Sequence, residues 1–331
     1  MTRTTPSRPG RSGPPKPPRM LVAALSLALV GQSPATAQEA PSVHVAHAAR
    51  YAATPISMGL RHVLAANRFS AFLAADGGAV APGSLASLAR EAQLDGHALL
   101  VYQASENATP TGHWAQGGAD EASNRLKAAL RAGGVDVLML TMGTDASGEG
   151  LDRFGDLMIE DNMEGRILVQ DSWSSGVGSE ADKVRTETVR ARLAAINARA
   201  GHQMAYLVPA ADAVDRLRWE VSLGKVPGVS RQSELFGGSP AQPGTPIANL
   251  VSYVWFITMY TQPAGGLTAL IDRGDPTSAE RERILQQIAW DAAAAEPMSG
   301  LLLEHLWLGR SRGPHAQHGG EASQGVHIGH E

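Results

Sequence analysis

The sequence predicts an α/β fold, a doubly wound parallel sheet sandwiched by helices, and two observations carry that expectation. Apolar runs of strand length alternate along the chain with amphipathic segments of helix length. The strand-length runs are almost continuously apolar, as in "VDVLMLTM", which suits strands covered by helices on both faces.

The N-terminus comes first in order. A basic, Pro-rich segment leads into an apolar run at Leu21–Val30 and then into Ala35-Thr36-Ala37. A positive flank, a short apolar stretch and small residues before the cut predict a signal peptide over 1–37, with the mature chain starting at Gln38. The apolar run is well short of the ~20 residues that span a bilayer. The expectation is therefore an exported protein, periplasmic or extracellular, with no membrane span after cleavage.

Strands are expected at Val43–His47, Ala98–Tyr102, Val135–Met142, Arg166–Gln170 and Met204–Val208, each an apolar run bounded by polar or turn-forming residues. Helices are expected at Ile56–Asn67, Ser84–Ala92, Glu121–Ala132, Leu151–Asn162, Ala181–Ala200 and Asp212–Leu223, where apolar residues recur at helical spacing. After Gly224 a Gly/Pro-rich loop, "KVPGVSRQSELFGGSPAQPGTP", breaks the alternation. An aromatic helix, Ile247–Tyr260, follows it. Its Trp255, Phe256 and Tyr260 recur at helical spacing and are expected in the core. A last helix, Ser278–Ala295, is expected to set Arg281, Glu282 and Arg283 toward solvent, with Ile284, Leu285 and Ile288 toward the core. The final stretch, 309–331, is rich in Gly, Ser and His, offers no face to pack and is expected to be disordered. One α/β domain over 38–300 lies between signal and tail.

Composition narrows the function. The chain of 331 residues has a formal net charge of −4 and no basic stripe, which argues against nucleic acid as a partner. It has no cysteine, so disulfides, thiolate metal sites and cysteine nucleophiles are all excluded. In a sheet of this kind ligands bind at the carboxyl ends of the strands. That draws attention to Ala46–Ala49, Thr141–Asp145, Gln170–Trp173 and Pro209–Asp212.

Several segments together resemble the SGNH/GDSL hydrolase superfamily, in particular an exported bacterial branch of it. "GGVDVLMLTMGTDAS" resembles its third block, a strand ending in a Gly-x-Asn-Asp type turn, and "RILVQDSW" the strand that follows. "INARAGHQMAYLVPAADAV" is similar to the later strand and helix, and "SELFGGSPAQPGTPIANLVSYVWFITMY" to the final loop and helix. The match is spread over Val43 to Leu267 and rests on the order of segments.

The resemblance implies a flavodoxin-like topology, a serine nucleophile after the first strand, Gly and Asn donors to an oxyanion, and a late Asp and His. Laid on this chain it puts Ala48 at the nucleophile, Gly77 or Gly78 and Thr144 at the oxyanion donors, and Gly238 and Gln242 at the late Asp and His. An alanine methyl cannot attack a carbonyl, and neither glycine nor glutamine can take a proton from a hydroxyl. The implied reaction is ester or acyl hydrolysis, on carbohydrate among other substrates, and the implied protein is a hydrolase scaffold without its catalytic groups that binds a small molecule or glycan and needs no cofactor.

Two rivals stay open. An active esterase with a rearranged site would use His47, Asp145 or Ser172. A metal-binding exported protein would use His315, His318, His327 and His330 of the tail, since imidazoles ligate zinc, copper and nickel. For each residue a plainer role stands beside the functional one. His44 and His47 suit a satisfied, partly buried position; Asp145 suits a turn or a helix cap. The tail histidines suit a solvated segment. The stretch Gln170-Asp171-Ser172-Trp173 is the best candidate for ligand contact, with hydrogen-bonding groups beside an aromatic face, although core packing accounts for Trp173 equally well.

Overall fold

The computed structural model describes residues 56–74, 83–103, 105–116, 123–143, 148–174, 178–238 and 242–301. The expected signal peptide, the strand at Val43–His47 and the tail over 309–331 lie outside them.

Five strands form one parallel sheet: β1 Arg61–Ala66, β2 Ala98–Gln103, β3 Val137–Thr141, β4 Arg166–Gln170 and β5 Ala205–Val208. Their spatial order is β2-β1-β3-β4-β5. Leu64 pairs with Val101 on one side and Met139 on the other, and Thr141 pairs with Gln170, so the carboxyl ends of β1, β3 and β4 lie side by side. The helices are α1 Leu85–Glu91, α2 Pro110–Ala115, α3 Arg125–Arg131, α4 Glu149–Asp161, α5 Glu180–Ala200, α6 Ala210–Ser222, α7 Thr245–Tyr260 and α8 Ser278–Ala295.

The period of two along each strand sorts side chains into two cores. Leu64, Met139, Leu168 and Val208 face a core shared with α1, α6, α7 and α8. Val63, Leu138, Leu140, Val169 and Leu207 face one shared with α3, α4 and α5. Both faces are covered, which is why the strands read as unbroken apolar runs. Local signals set the helix starts: Ser84, Thr109, Asn124 and Ser179 each accept a backbone N–H of the first turn. Gly150 lets α4 close onto α2, because a Cβ there would come within 2.3 Å of Pro110 and Thr111 backbone.

The main departure from expectation is β1. Ile56, Leu60, Val63 and Leu64 stand at i, i+4, i+7 and i+8, the spacing of a helix face, and the sequence predicts a helix over Ile56–Asn67. The segment instead becomes a strand, because pairing on both sides with β2 and β3 buries His62 through Ala66 without a break. Tertiary pairing overrides a local pattern that suits either state. The strands expected at 98–102, 135–142, 166–170 and 204–208 form within two residues of those bounds.

Helix α7 is the centre of its core, with every residue from Ile247 to Tyr260 buried. Each large apolar side chain there contributes roughly 1.5–3 kcal/mol. Asn249 and Tyr253, which it buries, are partnered, while the Thr258 hydroxyl is buried without a partner among the described residues. Asn249 donates to Glu282 Oε1 at 3.0 Å and accepts Gly83 N–H at 3.1 Å, and the Tyr253 hydroxyl donates to Glu282 Oε2 at 3.0 Å. This corrects the expected solvent face of α8: Glu282 and Arg281 are buried, and of the three only Arg283 is exposed. Among the described residues no helix is long and apolar enough to cross a membrane.

Candidate functional site

The strand order reverses between β1 and β3, and in parallel sheets ligands bind at the carboxyl ends of the strands beside such a switch point. Asn67 sits at that point, 1% exposed. Its amide donates to Ala108 C=O at 2.8 Å and to Thr141 C=O at 3.4 Å, and its Oδ1 accepts Phe69 N–H at 2.9 Å. One side chain thus ties β1, β3 and the loop after β2 together. Ser70 completes the turn. It is fully buried, and its Oγ accepts the Asn67 N–H at 3.3 Å.

Between them stand Arg68 and Phe69. The Arg68 backbone N–H donates to Glu106 C=O at 2.9 Å, its guanidinium carbon lies 5.1 Å from the Phe69 ring centroid, and its buried Nε–H has no partner. Phe69 meets Trp173 edge to face, ring centroids 4.9 Å apart.

On β3 the last residue, Thr141, is buried with its Oγ1 unpartnered. Met142 continues the ladder by donating to Gln170 C=O at 3.0 Å, and Gly143 follows at φ +61°, a left-handed conformation that favours glycine. The expected oxyanion and cleft residues that come next, Thr144 and Asp145, lie outside the described residues, as do Ala48, His47, Gly78 and the tail histidines.

The stretch after β4 is described in full. Gln170 is completely buried, its amide donating to Phe69 C=O at 3.1 Å while its Oε1 accepts the Trp255 indole N–H at 2.5 Å. Both ends of that amide hold the fold together. Asp171 Oδ1 accepts Ala211 N–H at 2.9 Å in the first turn of α6, and its Oδ2 accepts the Thr186 hydroxyl at 3.1 Å. Burial pushes this carboxyl up to about 7, against the lowering effect of the Ala211 N–H, and Asp212 adds to the rise.

Ser172 and Trp173 differ from these. Each is nearly inaccessible, yet Ser172 Oγ and Trp173 Nε1 have no hydrogen-bond partner. Their backbone is gripped from outside: Arg185 donates to Ser172 C=O at 3.3 Å and Arg218 to Ser174 C=O at 2.6 Å.

The late loop is a tight hairpin before α7. Phe236 and Pro243 bridge antiparallel, and Gly237 N–H donates to Gln242 C=O at 2.9 Å. Gly238 has φ +100°, so an aspartate there would be strained, and Gln242 is exposed. No residue from Gly237 to Gln242 is titratable.

A second titratable cluster lies at the opposite, amino edge of the sheet. His62 and His97 stack with ring centroids 4.5 Å apart, and His97 Nδ1 lies 2.6 Å from the Tyr260 hydroxyl. Burial lowers His62 to about 3, helped by His97, and lowers His97 to about 4. Hollows of about 340 Å³, between β1–β2 and α3, and about 240 Å³, between α5 and α6, lie away from the switch point. No group of three or more metal-ligating side chains is gathered among the described residues.

The sequence singled out Gln170–Trp173 but passed over Asn67 and Arg68. The signal was present in "AANRFSAF", a polar interruption directly after an apolar run, and it becomes visible once the run is read as a strand.

No protein-family model matches the chain. No curated protein matches it either. Among solved structures, a protein from Slackia heliotrinireducens whose own assignment as an SGNH hydrolase is provisional aligns at 13% identity, over 61% of this chain and 99% of that one, with a TM-score of 0.38.

Proposed function

We propose that the chain is an exported protein on an SGNH-hydrolase-like scaffold that binds a small molecule or glycan at the carboxyl edge of its sheet and does not hydrolyse it. The reading joins the sequence resemblance to the topology of the parallel sheet. The observation that carries it is the turn after the first described strand. With β1 taken as the first strand of the sheet, the nucleophile position moves from Ala48, which lies outside the described residues, to this turn, where a serine hydrolase needs an accessible hydroxyl with an imidazole in reach. Here the turn is Asn67-Arg68-Phe69-Ser70, its one hydroxyl is fully buried and accepts a backbone N–H, and the late loop supplies neither acid nor base.

The rearranged-esterase reading places its nucleophile at Ser172. That Oγ is buried, and no described histidine is hydrogen-bonded to it. A hydroxyl without a base is a poor nucleophile at neutral pH.

The test is turnover of a panel of p-nitrophenyl esters and acetylated sugars by the purified full chain. Rates at the buffer background are expected. Hydrolysis well above background that disappears in Ser172→Ala would overturn the binding reading in favour of a rearranged site.

A further inference from the structure

We propose that the carboxyl edge of the sheet at the β1–β3 switch point is an oxyanion site, taking a carboxylate or phosphate group on Arg68. The proposal rests on the binding reading above and gives the ligand its chemical class.

An arginine guanidinium is always charged and offers only donors. Arg68 is half-buried at the carboxyl end of β1, the end where ligands enter a parallel sheet. It forms no ion pair and no side-chain hydrogen bond among the described residues, and its Nε–H is buried without a partner. Glu106 takes the Arg68 backbone N–H through its own backbone carbonyl, and no carboxylate of the described residues forms an ion pair with the guanidinium. The other arginines about the β4 loop differ: Arg185 pairs with Asp182, and Arg218 pairs with Asp215. Of these three, Arg68 alone stands at the switch point without an ion-pair partner among the described residues.

A second observation is independent of the charge. Trp173, 3% exposed, keeps an unpartnered indole N–H, which can only donate, and Ser172, 2% exposed, keeps an unpartnered hydroxyl. Arg68 and Trp173 pack against the same ring, that of Phe69, at 5.1 and 4.9 Å from its centroid. Buried polar atoms in folded proteins are nearly always partnered. Here two of them, Arg68 Nε and Trp173 Nε1, belong to side chains packed on the Phe69 ring, and both can only donate. Donors with no carboxylate paired to them among the described residues select a ligand made of acceptors. A planar guanidinium fits a carboxylate or phosphate through paired N–H···O bonds. The turn at which a hydrolase of this kind would present its nucleophile to a substrate carbonyl presents a fixed cation instead.

The test compares thermal melting of the full chain in inorganic phosphate, in acetate and in chloride at matched ionic strength, for wild type, Arg68→Gln, Arg68→Lys and Trp173→Phe. A saturable rise in melting temperature with phosphate or acetate over chloride is expected in the wild type. A rise with one anion alone identifies which oxyanion the site takes. Arg68→Gln should weaken the response roughly tenfold or more. Arg68→Lys, which keeps the charge but not the fork, should keep part of it and serves if the glutamine variant folds poorly. Trp173→Phe, which keeps the ring and loses the N–H, should weaken it several-fold.

Equal responses in the wild type and Arg68→Gln, or no response to either anion, would overturn the oxyanion site. Binding of a neutral sugar or ester that survives Arg68→Gln would overturn it while leaving the binding reading intact. Ester turnover would remove the binding reading and leave the anion response as a separate result.

Discussion

Asp171 and Arg68 stand two strands apart at the same edge of the sheet and face opposite electrostatic problems. Asp171 is a carboxyl whose burial favours the neutral form up to about pH 7, while both its oxygens already accept hydrogen bonds. Its part in stability is fully present below the unfolded value of 3.8 and is lost as the pH rises through 7. Asp171→Asn keeps an acceptor for Ala211 N–H and removes the titration. The variant is expected to melt above the wild type at pH 8 and close to it at pH 5. A lower melting temperature at both values would show that the carboxylate itself holds α6. The sequence drew attention to this residue as a ligand contact because Gln170-Asp171-Ser172-Trp173 ends a strand. What it could not convey is where each polar group finds its partner: Gln170 at Phe69 and Trp255, Asp171 at Ala211 and Thr186, and Ser172 and Trp173 nowhere among the described residues.

At the scale of elements, pattern and context disagree in two instructive places. In β1 the spacing of Ile56, Leu60, Val63 and Leu64 fits a helix, and the neighbours β2 and β3 decide otherwise. A short apolar run carries no mark of which strands will flank it, so the turn that follows, with Asn67 and Arg68, was hidden by the same misreading. In α8 the run Arg281-Glu282-Arg283 looks like a solvated face. Glu282 is instead fully buried against Asn249 and Tyr253 of α7. Glu282→Ala should therefore cost about 2–3 kcal/mol by leaving two buried groups unsatisfied. Arg283→Ala should stay within about 0.5 kcal/mol, because that exposed side chain pairs only with Glu280 on the same helix. Urea denaturation of the two variants checks the contrast, and equal effects would contradict the packing of α7 on α8. Edge strand β2 carries exposed Leu100 and Val101 with no charge in its six residues. Among the described residues no strand pairs with its outer edge, and open edges promote association. Val101→Lys should reduce concentration-dependent scattering with little change in melting temperature.

Across the whole molecule, the alternation of apolar strands and amphipathic helices was legible because a sheet covered on both faces leaves its imprint on every strand. Charge was not. Three histidines, His62, His97 and His113, are held neutral by burial, down to about 3, 4 and 4. Unfolded, each takes up its proton near pH 6.5. Between about 6.5 and 4 the unfolded chain binds more protons, so their contribution is fully present above 6.5 and is lost as the pH falls toward the folded values. Asp171, Asp212 and Glu282, carboxyls that burial raises, oppose this over part of the range. The imidazole contribution is therefore read as a difference: between pH 7 and pH 4.5 the melting temperature of His97→Gln is expected to fall less steeply than that of the wild type. Parallel profiles would contradict the burial of the His97 imidazole.

Ligand binding without a working nucleophile, as proposed above, is tested by intact-mass analysis of the purified full chain after incubation with a reactive fluorophosphonate, since the reagent adds irreversibly to an activated serine and leaves ordinary hydroxyls unmodified. An unchanged mass is expected, with Ser70 held by the Asn67 N–H and Ser172 without a base among the described residues. A single stoichiometric adduct on Ser70, Ser172 or any other serine would contradict it.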